Sequence, residues 1–222
     1  MINLFLLAIA PVVIIAVYIY MRDKYEKEPI IMLLNALGAG ILITVPVLFL
    51  ERLLSAVMPS FPPQGEAFYS AFIVAGFTEE FFKFLALYVL IWSNRNFNEK
   101  FDGIVYAVFI SLGFAGVENI LYVLHHGANT GYIRAIVSVP GHALFGVTMG
   151  YYFGLARFYD KMRIPFLIRS FLYPLILHGI FDFILMLGNF RLFLGFIPFV
   201  VFLYIDGLRR MKRISERSIY RE

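Results

Sequence analysis

The sequence predicts an all-α fold: a polytopic membrane bundle of about seven transmembrane helices. Three observations carry that prediction. Hydrophobic residues fill 61% of the 222 positions and charged ones only 15%, whereas soluble domains carry about a quarter charged residues. A bilayer-crossing helix takes ~20 mostly apolar residues, and seven stretches meet that length: 2–20, 30–54, 67–93, 102–124, 131–156, 165–187 and 190–208. The breaks between them carry Pro, Gly, Asn or charge, as loops do. No length is left for a separate soluble domain, so 1–222 reads as one membrane domain ending in a short basic tail, 209–222.

The first apolar run, 4–20, has no basic segment before it and no convincing small-residue cleavage site, so it is expected to remain as the first helix. The connection 58–64 contains Pro59, Pro62 and Pro63, which forbid regular helix there. Lys and Arg then set the orientation. Arg22, Lys24 and Lys27 lie in the first connection, Arg95 and Lys100 in the third, Arg157, Lys161 and Arg163 in the fifth, and Arg209, Arg210, Lys212, Arg213, Arg217 and Arg221 in the tail. The alternate connections hold only Arg52, Arg134 and Arg191. By the positive-inside rule the N-terminus is outside and the C-terminus cytoplasmic. The net charge of +4 is this topological excess and no footprint for nucleic acid. Cysteine is absent, which excludes disulfides, thiol catalysis and thiolate metal sites and leaves His and carboxylates as the strong metal ligands.

Function is signalled by ionisable residues inside these apolar spans. Each charge at bilayer depth costs at least ~2.5–3.5 kcal/mol, so such residues are functional candidates by default. Counting 1.5 Å per residue from the predicted span ends puts Glu79 and Glu80 about halfway across. Glu118 falls in the outer half, His142 in the outer half to middle, His178 just past the centre and Asp182 beyond it. Four helices thus bring them to one layer. Asp102 sits at the cytoplasmic boundary and reads better as a helix N-terminal residue.

Each motif has a structural alternative. Lys83 follows Glu79 and Glu80 at i+4 and i+3 and can pair with either; a self-neutralised salt bridge would need no further role, but two glutamates against one lysine leave a surplus carboxylate suited to general acid–base work. His178 and Asp182 share a helix face at i, i+4, so Asp182 can orient the imidazole, both can bind a metal, or the pair can be structural. Pro174 removes a helix hydrogen bond nearby. His142 follows Pro140–Gly141, which could open the helix locally; alone it would read as a core histidine, and its depth beside His178 reverses that. Glu118, next to Asn119, needs a partner, for which Lys83 or a histidine would serve. Gly113 and Gly116 imply tight packing, as do Gly146, Gly150 and Gly154 at every fourth position. His125 and His126 fall at the outer boundary and carry no assignment.

On these residues the chain resembles the PrsW family of bacterial intramembrane proteases. The matching blocks are YEKEP (25–29), GFTEEFFKF (76–84), FDGIVYA (101–107), SLGFAGVENILY (111–122), PGHALFGVTMGYYFG (140–154) and LHGIFDF (177–183). More distantly, Glu-Glu, a histidine and His-x-x-x-Asp are similar to the CAAX-processing and bacteriocin-processing membrane endopeptidases, from which Lys83 departs, since that wider group prefers an arginine one residue later. The resemblance implies a multi-pass protein of the bacterial cell membrane. It also implies the substrate: a single-span anti-sigma factor, cut first (site 1) on its extracytoplasmic side to start release of an envelope-stress sigma factor.

The expected reaction is peptide hydrolysis by activated water in a helix-lined cavity. Glu79 or Glu80 is the base, the other holds water or substrate, His142 and His178 polarise the carbonyl, Asp182 orients His178, and Lys83 and Glu118 complete the charge network. His142, His178, Asp182 and Glu79 are the candidate metal ligands, and zinc would suit them. No HExxH helix is present, however, and a metal-free glutamate mechanism is the preferred expectation. The rivals are a proton-coupled transporter, for which no inverted repeat is found, and a non-catalytic receptor.

Overall fold

The computed structural model describes residues 2–218 and 220, and the regular elements among them are all helical. α1 (Ile2–Arg22) and α2 (Ile30–Ala56) flank the loop 23–29. α3 (Pro63–Tyr69), a π-helical segment (Ser70–Phe77) and α4 (Thr78–Ile91) run on without a break. α5 (Lys100–His126), α6 (Ala128–Ile136), α7 (Ser138–Phe158), a 3₁₀ turn (Asp160–Met162), α8 (Arg163–Met186) and α9 (Phe190–Ser215) follow. Among the described residues five stretches are long and apolar enough to cross a membrane: Asn3–Arg22, Ile30–Ala56, Lys100–His126, Ala128–Phe158 and Asp160–Met186. The other two predicted spans, 67–93 and 190–208, fall on the α3–π–α4 run and on α9. The basic tail begins as helix, because α9 continues to Ser215. Arg221 and the Arg191 side chain lie outside the described residues.

The bundle is organised around α5, in which every residue from Phe101 to Gly116 is buried. Small residues let its neighbours approach backbone to backbone, the usual basis of helix association in lipid. On the α7 side, a Cβ at Gly150 would lie 2.2 Å from the Gly103 carbonyl oxygen, and one at Gly154 2.2 Å from that of Lys100. On the α2 side, a Cβ at Gly113 would lie 2.1 Å from the Leu37 carbonyl oxygen. The packing role read for the α7 glycines and for Gly113 therefore holds. Gly116 differs: its nearest neighbour is a Val12 methyl at 3.6 Å, an ordinary contact.

Helix α5 starts at a capping box. The Asp102 carboxylate accepts the backbone N–H of Glu99 at 2.7 Å and of Asn98 at 2.9 Å, while the Glu99 side chain accepts from the third helical N–H. That is the helix-start role expected of Asp102. The helix stops at Gly127, whose φ of 82° favours glycine. The opening expected at Pro140–Gly141 lies earlier, at Val137 between α6 and α7. Pro140 instead sits in the first turn of α7, where helical N–H groups have no intrahelical acceptor and a missing one costs little. Ile14, Leu42, Val45 and Val89 are among the large apolar side chains exposed on the outer surface, facing where lipid would be.

Candidate active site

Glu79 and Glu80 open α4 directly after the π segment, an irregularity that recurs at functional positions because it shifts the helical register locally. Thr78 turns its hydroxyl back onto the carbonyls of Val74 and Ala75. Helix α8 comes close here because Gly179 has no side chain: a Cβ there would lie 2.3 Å from the Phe72 ring. His178, the preceding residue, is thereby brought to α4, one turn beyond the buried Pro174.

Five side chains meet at this point. Lys83 Nζ donates to Glu79 Oε2 at 2.9 Å and to Glu80 Oε1 at 2.8 Å, and lies 3.2 Å from His142 Nδ1. His178 Nδ1 is 2.9 Å from Glu80 Oε1, and the two imidazole rings are 5.3 Å apart at right angles. The far nitrogen of each ring also meets a carboxylate: His142 Nε2 is 2.9 Å from Glu118 Oε2, and His178 Nε2 is 3.4 Å from Asp182 Oδ2. Phe145 stacks on His178, and Phe114 presents its face to Lys83 at 4.4 Å. Glu79, Glu80, Lys83, His142 and His178 are all buried. The structure thus assembles all seven candidate residues into one network, with Glu118 and Asp182 at its edge.

Two clefts reach the network. One of about 530 Å³ is lined by Glu79, Glu118 and Asp182 together with α2 residues such as Glu51. The other, of about 260 Å³, is lined by Glu118, His142, His178 and Asp182. Glu80 lines neither and is fully enclosed. A larger cavity of about 640 Å³, walled by Tyr151, Arg169 and Arg210, contains none of these groups.

The donor set fits a divalent metal. Glu79, Glu80, His142 and His178 offer ligand atoms within 4.8 Å of one another. Both imidazoles point Nδ1 inward and anchor Nε2 on an outer carboxylate, the arrangement metal-bound histidines adopt to fix ring orientation. Glu80 Oε2 is buried without a hydrogen-bond partner among the described residues. Asp182, expected among the ligands, stands behind His178, and Glu80 takes the place beside the rings. Lys83 Nζ contacts three of the same donor atoms, so the ammonium and a metal compete for them.

Sequence reading missed two residues of the site. Arg134 Nη2 pairs with Glu118 Oε2 at 3.0 Å and its Nε donates to Asn119 at 3.1 Å; in the sequence it reads only as a loop charge. Glu51 lines the larger cleft. Its position near a predicted span end hid it, and the available signal was one carboxylate among apolar residues.

Residues 28–205 match the model of the family described as PrsW family intramembrane metalloprotease. The chain is 40% identical over 207 residues to a Protease PrsW of Bacillus subtilis, covering 92% of each chain. It is 39% identical to that of Geobacillus kaustophilus, over 96% of this chain and 92% of the relative. The Protease PrsW of Clostridioides difficile is 36% identical, over 97% and 93%. No solved structure matches the chain significantly.

Proposed function

From membership of the PrsW family of intramembrane metalloproteases, to which this chain belongs, we propose a metal-dependent peptide hydrolysis with Glu79 as the general base. The chain is a peptidase of the bacterial cell membrane. A protease family weighs against the transporter and receptor readings, and a family described as metalloprotease weighs against the metal-free preference.

The observation that carries the division of labour is the contrast between the two glutamates. Glu79 lines a cleft, and Glu80 is fully enclosed against His178 and Lys83. Glu80, His142 and His178 would hold the metal, a carboxylate-plus-two-imidazole set that leaves a position open. Zinc so bound supplies Lewis acidity at the scissile carbonyl and at water. Glu79 takes a proton from the attacking water as its oxygen bonds to the carbonyl carbon, then returns a proton to the amide nitrogen as the C–N bond breaks. Asp182 and Glu118 hold the imidazole orientations. Arg134 restrains Glu118, and Lys83 offsets the charge on Glu79.

In this reading seven helices cross the membrane with the N-terminus outside. The family resemblance points to a single-span anti-sigma factor as substrate, cut on its extracytoplasmic side. Purified protein incubated with such a single-span substrate in detergent should give one extracytoplasmic cut, mapped by mass spectrometry. Transport of ions without cleavage would overturn the proposal. Asp182→Asn keeps an acceptor for His178 but removes its charge, and loss of such an outer partner typically costs 10–100-fold in metal affinity or activity, about the drop expected in kcat/KM.

A further inference from the structure

At the far end of α5 lies a second acidic cluster that the proteolytic site does not use. Glu26 and Glu28 of the loop 23–29 and Asp102 of α5 bring carboxylate oxygens within 4.8 Å of one another. Asp23 and Glu99 adjoin them, and Asp23, Glu28, Glu99 and Asp102 are all buried. Acidic residues alone say little. What marks this cluster is that Asp23 Oδ1, Glu26 Oε2, Glu28 Oε1, Asn98 Oδ1 and Asp102 Oδ1 are all buried with no hydrogen-bond partner among the described residues. Asp23, Glu28 and Asp102 are at most 1% exposed, so water does not answer these oxygens from outside. A buried polar atom without a partner costs ~1–3 kcal/mol, more when charged, and buried polar groups are normally satisfied.

The described basic side chains do not pair with the cluster. Among the described residues none of these carboxylates forms a salt bridge. Lys27, in the same loop, donates to the Tyr20 carbonyl and acts on Asp23 only through space, without an ion pair. Tyr106 donates to Glu28, and Asn98 Nδ2 donates to Glu26 Oε1 at 3.3 Å, which satisfies one oxygen of each and leaves the other bare. Burial, with the charges of Glu26 and Asp23 adding to it, pushes Glu28 up to about 7, and burial pushes Asp23 up to about 6. A proton shared between Glu28 and Asp102 would satisfy that pair but not Asp23 or Glu26.

We propose that Glu26, Glu28 and Asp102 form a second cation site, for a hard divalent ion of the calcium or magnesium class, that ties the loop 23–29 to the start of α5. The donors are oxygens throughout, carboxylates with the Asn98 amide oxygen at hand, and that set selects hard cations over zinc. The site is distinct from the proteolytic one, since Asp102 and Glu118 stand about 24 Å apart along α5 at 1.5 Å per residue.

Calorimetric titration of the purified full-length chain with calcium, and separately with magnesium, tests it. Calcium is the better probe, because the imidazole-containing cluster favours softer metals. Binding of one ion per chain is expected, with a rise in half-unfolding temperature of roughly 5 °C at saturation. Glu26→Gln and Glu28→Gln keep the hydrogen bonds from Asn98 and Tyr106, and each should weaken binding at least ~10-fold. A wild-type chain that binds neither ion overturns the proposal, and so do folded variants that bind like wild type. If neither variant folds, the wild-type stoichiometry decides.

Discussion

Glu79→Gln slows peptide cleavage by roughly 10²–10⁴, the usual worth of a positioned general base. Glutamine keeps the volume and an acceptor oxygen for Lys83, which donates to Glu79 Oε2 at 2.9 Å, but it cannot take up the water's proton. The loss should therefore appear in kcat with KM little changed, and purified variant and wild type should elute and unfold alike. Glu80→Gln should also remove activity but for a different reason. It disturbs the fully enclosed carboxylate that contacts both Lys83 and His178, so metal retention should fall with it. Metal content separates the two: Glu79→Gln keeps the ion and Glu80→Gln loses it. If Glu79→Gln cleaves at the wild-type rate, the base is elsewhere.

Lys83→Met destabilises the protein by about 3–5 kcal/mol, the penalty for removing one partner of a buried ion pair. Lys83 is 1% exposed and neutralises two carboxylates at once, while methionine supplies similar bulk without charge. Because the ammonium occupies atoms that would also bind a metal, zinc should rescue the variant more than it stabilises wild type. Thermal unfolding of both proteins with and without zinc measures this. An unchanged unfolding temperature for Lys83→Met in chelator would show that the pair contributes no net stability.

Much of this was legible in the sequence, for identifiable reasons. Apolar length and composition give the all-helical membrane bundle, and the cost of a charge in lipid makes Glu79, Glu80, Lys83, Glu118, His142, His178 and Asp182 conspicuous wherever they fall. Counting rise per residue then brought four helices to one depth, where the structure places them within one network. What the sequence could not supply was direction. That Glu79 faces a cleft while its neighbour Glu80 is enclosed follows from the rotation of α4, set by the preceding π segment, which no periodicity announces. Likewise Asp182 stands behind His178 because α8 docks through Gly179 onto Phe72. Arg134 was hidden because it sits on the short α6 while its partner Glu118 lies back inside α5, more than two turns before that helix ends. The acidic cluster is not legible in the sequence because Glu28 and Asp102 are 74 positions apart and only the fold joins them.

Metal dependence is tested most directly by measuring metal content and cleavage on the same sample. Purified wild-type protein would be stripped with a chelator, assayed on a single-span membrane substrate, reloaded with zinc and assayed again. Cleavage should disappear with the metal and return with one zinc per chain. Full cleavage by protein shown to be free of metal would contradict it and return the chemistry to the glutamates and histidines alone.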